Sequence, residues 1–424
     1  MAAGGSWKGL VLVLLLTGVS RTHAAPGDVV WSDSRLPGRA TAGVLARQGL
    51  VVVSSADPSA PGLVIRIYDP ADGTLRREHV IDKQVTPARQ ALIRGGMVIV
   101  LVRKMLEKPA PEPPAIENRL LAVHLATGRV RWQRSLGLHP EYDYPDRPVS
   151  IAAFGHRVYV SNEGGAALAL DSRSGRVLWR DRREGVAAIA ARRGQVMVVG
   201  SETPALGWPR LFVRMLDAES GRVRWEDEDD LGSPLGAFAS TVAFADEHVV
   251  VGGWVNRTSP AYDGDYYDDP LLLAYDAQSG VRQWAMEAYL ANDERVHRVL
   301  THEGRVFALI DVKGSWRLEA HDAQSGSVVW QSELLLIDSA VAEPVITGDA
   351  LYLACDPFEY PATLVAGGIE ADDGAVGWTT AAEGYPIFYS ASALAADDER
   401  LYVLGSAWDA QRGPYQAIWA HALR

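Results

Sequence analysis

Leu271 to Trp284, LLLAYDAQSGVRQW, decides the fold, because versions of it recur along the chain at a nearly fixed spacing. Leu271 to Tyr275 is a short apolar run suited to a strand, and Asp276 to Gly280 carries turn chemistry. Val281 to Trp284 returns to strand and aromatic character, so the unit reads as a β-hairpin. The Asp that opens the turn offers a short carboxylate to nearby backbone N–H groups, and the Gly four residues on can take the positive φ such loops need. The Trp four residues after the Gly places a large flat side chain at a fixed point on the returning strand.

Aligned on the glycine, the copies fall at Gly73, Gly128, Gly175, Gly221, Gly280, Gly326 and Gly374, at intervals of 55, 47, 46, 59, 46 and 48. Trp132, Trp179, Trp225, Trp284, Trp330 and Trp378 follow six of them, and Arg77 stands at that place in the first. Asp69, Asp171, Asp217, Asp276 and Asp322 open five of the turns, with His124 and Glu370 in the others. An eighth copy is split between the chain ends. Gly27 to Trp31 matches the second half of the unit, and Ala417 to Leu423 matches the first. A ring whose last module is completed by the first strand hides its edge strands.

Each period also holds two upstream strands, as in Pro148 to Phe154 and Arg157 to Ser161 ahead of Ala167 to Asp171 and Arg176 to Trp179. Four strands in about 46 residues make a propeller blade. The expected fold is therefore all-β, an eight-bladed β-propeller of four-stranded blades closed by the N-terminal strand. Small-residue runs such as Ala187 to Ala191 and Ala393 to Ala396 suit innermost strands converging on an axis. The longer intervals place insertions at Leu106 to Asn118, Thr203 to Arg210, Asn256 to Pro270, Asp356 to Pro361 and Ser406 to Pro414. All fall between second and third strands, so they decorate one face, and loops on a rigid scaffold carry binding.

The unit A-x-D-x-x-x-G-x-x-x-W resembles the tryptophan-docking repeat of the pyrroloquinoline quinone (PQQ) type β-propellers, over essentially all of residues 25–424. The resemblance implies eight blades with each Trp between neighbours. That fold hosts enzymes and scaffolds alike. In size and repeat the chain also resembles the propeller subunits of bacterial outer-membrane β-barrel assembly machinery, which bind partner proteins. The enzymatic branch, the quinoprotein dehydrogenases, holds PQQ over calcium beside a disulfide of neighbouring cysteines, with an Asp base. Cys355 is the only cysteine here, and neither a calcium ligand set nor a catalytic Asp can be matched.

Composition and address point the same way. A formal net charge of -12 argues against nucleic-acid binding, which draws affinity from Lys and Arg on phosphates. Lys8 before the apolar run Leu10 to Leu16, then Thr22-His23-Ala24, reads as a signal peptide over residues 1–24. No later stretch is long enough for a membrane helix, and no Cys follows the run to take a lipid. The remaining residues, 25–424, are expected to form one domain, exported to the periplasm or beyond and monomeric.

Two constellations stand out. Asp263, Asp265, Asp268 and Asp269 supply the hard oxygens that calcium prefers, but the stretch departs from the calcium-loop pattern, lacks a distal Glu at the required spacing and reads first as a solvated acidic loop. Glu226 to Asp230 is a second acidic run, expected to join it in one negative patch. Trp208, Trp254, Tyr262, Tyr266, Tyr267, Phe358, Tyr360 and Trp408 lie in or beside the decorated loops, where aromatics among polar neighbours suit contact with protein or sugar. His297 and His302 are an odd number apart on one strand, which argues against a shared metal. The expected function is a non-catalytic scaffold binding a protein partner through this face, with no cofactor; calcium in the acidic loop is the alternative those four Asp leave open. The alternatives are a quinoprotein dehydrogenase using PQQ and calcium, and a carbohydrate or small-ligand binder.

Overall fold

The computed structural model describes residues 25–26, 28–36, 40–46, 49–55, 62–106, 115–140, 150–161, 165–204, 207–229, 231–233, 235–258, 266–287, 293–313, 315–334, 342–355, 365–381, 388–409 and 413–423. Among these the strands form eight four-stranded antiparallel sheets, and the chain is an eight-bladed β-propeller. Seven blades follow chain order from inner to outer strand: 40–82, 86–140, 151–180, 186–229, 237–287, 294–334 and 345–381. The eighth joins Phe388–Ala396, Arg400–Asp409 and Gly413–Ala422 to Val29–Leu36, which pairs in the register Val29 with His421 and Asp33 with Ile418. The ring closes as the split repeat requires.

The continuous apolar runs have a simple cause. Each middle strand is covered on both faces by neighbouring blades, so alternation of apolar and polar residues is lost. Val249 and Val251 of blade 5 enter a cluster with Met197, Val199 and Val213 of blade 4, while Val250 between them enters one with Val306, Ala308 and Ile310 of blade 6. Eight such clusters fill the eight joints between blades.

The repeated hairpin stitches the joints. In blade 5 the Asp276 carboxylate accepts from the Ser279 backbone N–H at 2.7 Å and the Ser279 hydroxyl at 2.6 Å. The Gly280 N–H closes the turn on the Asp276 carbonyl at 2.9 Å. Gly280 has a φ of 75°, and a Cβ there would lie 2.5 Å from the indole of Trp225 in blade 4. That indole donates its N–H to the Ala277 carbonyl at 3.1 Å. The same dock joins Trp31 to Pro70, Trp132 to Ser172, Trp179 to Ala218, Trp284 to Ala323 and Trp330 to Ala371.

At the joint between blades 1 and 2 a histidine takes the tryptophan's place. Arg77 occupies the repeat position, but His79, two residues on and on the same strand face, lies beneath Gly128 and bonds the Leu125 carbonyl through Nε2 at 3.0 Å. Arg77 donates to the neighbouring Ala126 carbonyl at 2.9 Å.

The insertions differ from expectation. Their ends are ordered ladder rather than loop: His248–Thr258 pairs with Tyr266–Asp276 out to Thr258 opposite Tyr266, and Met97–Leu106 pairs with Ala115–His124 out to Leu106 opposite Ala115. Strand-favouring Val255, Tyr266 and Tyr267 and the closed register extend the hairpin beyond the ring. Residues 107–114, 259–265 and 356–364 lie outside the described residues.

Candidate functional site

The decorated face is best defined over blades 4 and 5. There Pro209, at the end of the blade 4 insertion, accepts through its carbonyl from the Ala237 N–H at 3.0 Å, and the Gly236 carbonyl accepts from the Asn256 N–H at 2.9 Å. Ser233 donates its hydroxyl to the Asn256 carbonyl. These bonds tie the insertion, the connection between the blades and the extended hairpin into one platform. Trp208 and Tyr266 stand on it 56% and 63% exposed.

The other aromatics of this group are placed differently. Trp254 is stacked on Phe238 with ring centroids 5.1 Å apart, and the Arg295 guanidinium of blade 6 lies 5.1 Å above its ring. Trp254 is partly buried and is anchored to the platform by these two contacts. Tyr267 is half-buried opposite Arg257. Trp408 lies on the strand of blade 8 opposite Pro414. Tyr262, Phe358 and Tyr360 fall outside the described residues.

Asp268 and Asp269 are strand residues, and each is held by an arginine. Asp268 pairs with Arg295 across the joint to blade 6, while Asp269, 1% exposed, pairs with Arg257 at 3.1 Å. Burial pushes the Asp268 carboxyl above its usual range, and the Arg295 contact opposes that shift. Adjacent strand positions point to opposite faces, so the two do not converge on one ion. Asp263 and Asp265 lie outside the described residues.

The second acidic run corrects the expected negative patch. Glu226 to Asp229 belong to the outer strand Val223–Asp229, not to a loop, and they alternate between two arginine groups. Glu226 meets Arg183 at 3.0 Å and Arg214 at 2.9 Å, and Glu228 meets Arg183 at 2.8 Å. Asp227 and Asp229 face the other way and share Arg282 at 2.9 and 2.6 Å. Each of Glu226 to Asp229 is thus paired with an arginine within the blades. Their partners lie up to 55 residues away, beyond the reach of local charge counting.

His297 is exposed and edge-on to Trp316, with ring centroids at 5.2 Å. His302 ends the strand Glu294–His302, and there it, Glu303 and Asp349 bring one ligand atom each within 4.8 Å of one another. Among the described residues this is where three metal-type ligands converge, and both carboxylates are exposed. Strand parity could not find the group, since Asp349 comes from the next blade. The group lies where blades 6 and 7 turn from first to second strand, on the face opposite the insertions.

In sequence, a profile of the family described as outer membrane protein assembly factor BamB matches residues 143–309 and, overlapping, 268–413. The chain belongs to this family. No curated protein matches it directly. Among solved structures it is similar to BamB from Moraxella catarrhalis, with a TM-score of 0.58 and 15% identity over 93% of this chain and 99% of that one. It is as similar to a computationally designed protein, at 0.59 and 16% over 93% and 99%. Quinohemoprotein alcohol dehydrogenase from Pseudomonas putida follows at 0.55 and 12%, over 93% of this chain and 76% of that enzyme. An assembly factor, a design and an enzyme share the ring, so these likenesses show the fold alone.

Proposed function

We propose that this BamB-family propeller is an exported scaffold of the cell envelope that docks a protein partner of outer-membrane assembly through the platform on blades 4 and 5. The observation that carries the reading is the exposure of Trp208 and Tyr266 on a surface fixed by bonds between two blades. Trp and Tyr are enriched where interfaces concentrate their energy, and each adds a large contact area at the cost of few rotatable bonds. The family description supplies the assembly context, and the apolar run behind Lys8 supplies the export route.

Photo-crosslinking amino acids placed at Trp208 and Tyr266 should capture one envelope protein in living cells, while the same probe at exposed Val376 of blade 7 should not. Trp208→Ala with Tyr266→Ala should weaken recovery of that protein by roughly tenfold or more, as for hot-spot truncation. Identical adducts from all three positions, or undiminished recovery, would refute the assignment.

A further inference from the structure

The face opposite the insertions is built from turns. Each blade turns there between its first and second strands, and blades 1 to 7 turn there again between third and fourth. On blades 2, 3 and 4 these turns carry Arg129, Arg173, Arg176, Arg193 and Arg222, all exposed and none in an ion pair among the described residues. On blades 6, 7 and 8 they carry Glu303, Asp349, Asp372, Asp373 and Asp398, likewise exposed and unpaired with any cation. Blade 3 and blade 7 are diametrically opposed in a ring of eight. The face therefore has a positive arc and a negative arc across its axis, in a chain whose net charge is -12.

We propose that this face binds a second copy of the chain in a two-fold, face-to-face dimer. A two-fold axis lying in the interface and running through blades 1 and 5 sets blades 2, 3 and 4 of each copy over blades 8, 7 and 6 of the other. Both arcs then meet their opposites at once, and the contact closes at two copies because the same patch is used on each. An anionic membrane would attract the positive arc and repel the negative one, whereas a second copy satisfies both.

Sedimentation velocity of the mature chain tests the proposal. A dimer is expected at about 0.02 M NaCl, with the dissociation constant rising about tenfold or more at about 0.5 M, where screening shortens the reach of the arcs. Arg173→Glu with Arg176→Glu should be monomeric at low salt, as should Asp372→Arg with Asp373→Arg, with the circular dichroism of both unchanged. Mixed in equal amounts, the two variants should dimerise, since each reversed arc now faces its complement. A wild-type monomer at low salt, variants that dimerise like the parent, or a mixture that stays monomeric would each overturn it. So would flotation of the wild type with phosphatidylglycerol vesicles that strengthens in the Asp372→Arg, Asp373→Arg variant without self-association. The platform carrying Trp208 is on the other face, so loss of this dimer and loss of the docked partner are separable results.

Discussion

Removing one docked indole should cost a large share of the stability of the ring. Trp179 is 8% exposed, lies 5.8 Å from the Tyr159 ring, fills the space beneath Gly221 and donates to the Ala218 carbonyl at 3.2 Å. Trp179→Ala opens a cavity at a joint that Gly221 cannot fill, and such truncations cost about 3–5 kcal/mol, against a total of about 5–15 kcal/mol for a folded protein. Trp179→Phe should cost far less. The Tyr159 hydroxyl also donates to the Ala218 carbonyl, at 3.3 Å, so that acceptor keeps a partner and the loss is about 1 kcal/mol for a hydrogen bond plus a little packing. His79→Ala at the exceptional joint should fall between the two, at about 1–2 kcal/mol, because a half-buried imidazole carries less apolar area. Urea unfolding followed by far-ultraviolet circular dichroism orders the three. A Trp179→Ala loss below about 1 kcal/mol, or a His79→Ala loss equal to it, would refute the view that the dock holds by burial first and hydrogen bonding second.

Three further outcomes are expected. Deleting Asp28 to Asp33 strips the outer strand from blade 8 and Trp31 from beneath Gly73, so the Gly413–Ala422 edge should drive aggregation or a lower melting temperature; an unchanged melt would contradict the split blade. Arg317, buried between Glu294 at 2.5 Å and Glu319 at 2.7 Å, with Glu319 in turn bonded to the fully buried His321, should be costly to replace: Arg317→Met strands two carboxylates and should lose about 3–5 kcal/mol by urea titration. Hydrogen bonds from Ser174 to Asp171, Arg224 to Asp217, Ser279 to Asp276 and the Ser325 backbone N–H to Asp322 hold these turn carboxyls below their usual range. A lowered carboxyl stabilises the fold above its unfolded value and loses that effect as pH falls, so the melting temperature should drop below about pH 4. The drop should be shallower when all four are changed to Asn, and an identical acid limb would show that other groups set it.

The ring was legible because its signals are local. Asp276, Gly280 and Trp284 sit within nine residues, and each copy repeats their spacing, so blade number and the split closure followed from counting. What escaped the reading depends on neighbours distant in sequence. His79 replaces a tryptophan by standing two positions late, visible only once Gly128 is laid over it. The alternating faces of Glu226 to Asp229 were readable, but Arg183 and Arg282 become their partners only when blades 3 and 5 close on blade 4. At the platform, Trp208 and Trp254 look alike in sequence. The Arg295 and Phe238 that contact the second separate an exposed aromatic from a partly buried, anchored one.

The split blade also sets a clock on folding. Val29 pairs with His421, so the first strand waits for nearly the whole chain to arrive before it has a partner. At about 5–20 residues per second of synthesis, that wait is roughly 20–80 s. Until then the array is an open arc with a free edge at each end and one tryptophan undocked, and it must be kept from pairing with other chains. Ring closure is thus the latest and most vulnerable event in the life of this protein, and a chaperone that shields sheet edges during export would act on it most strongly at that step.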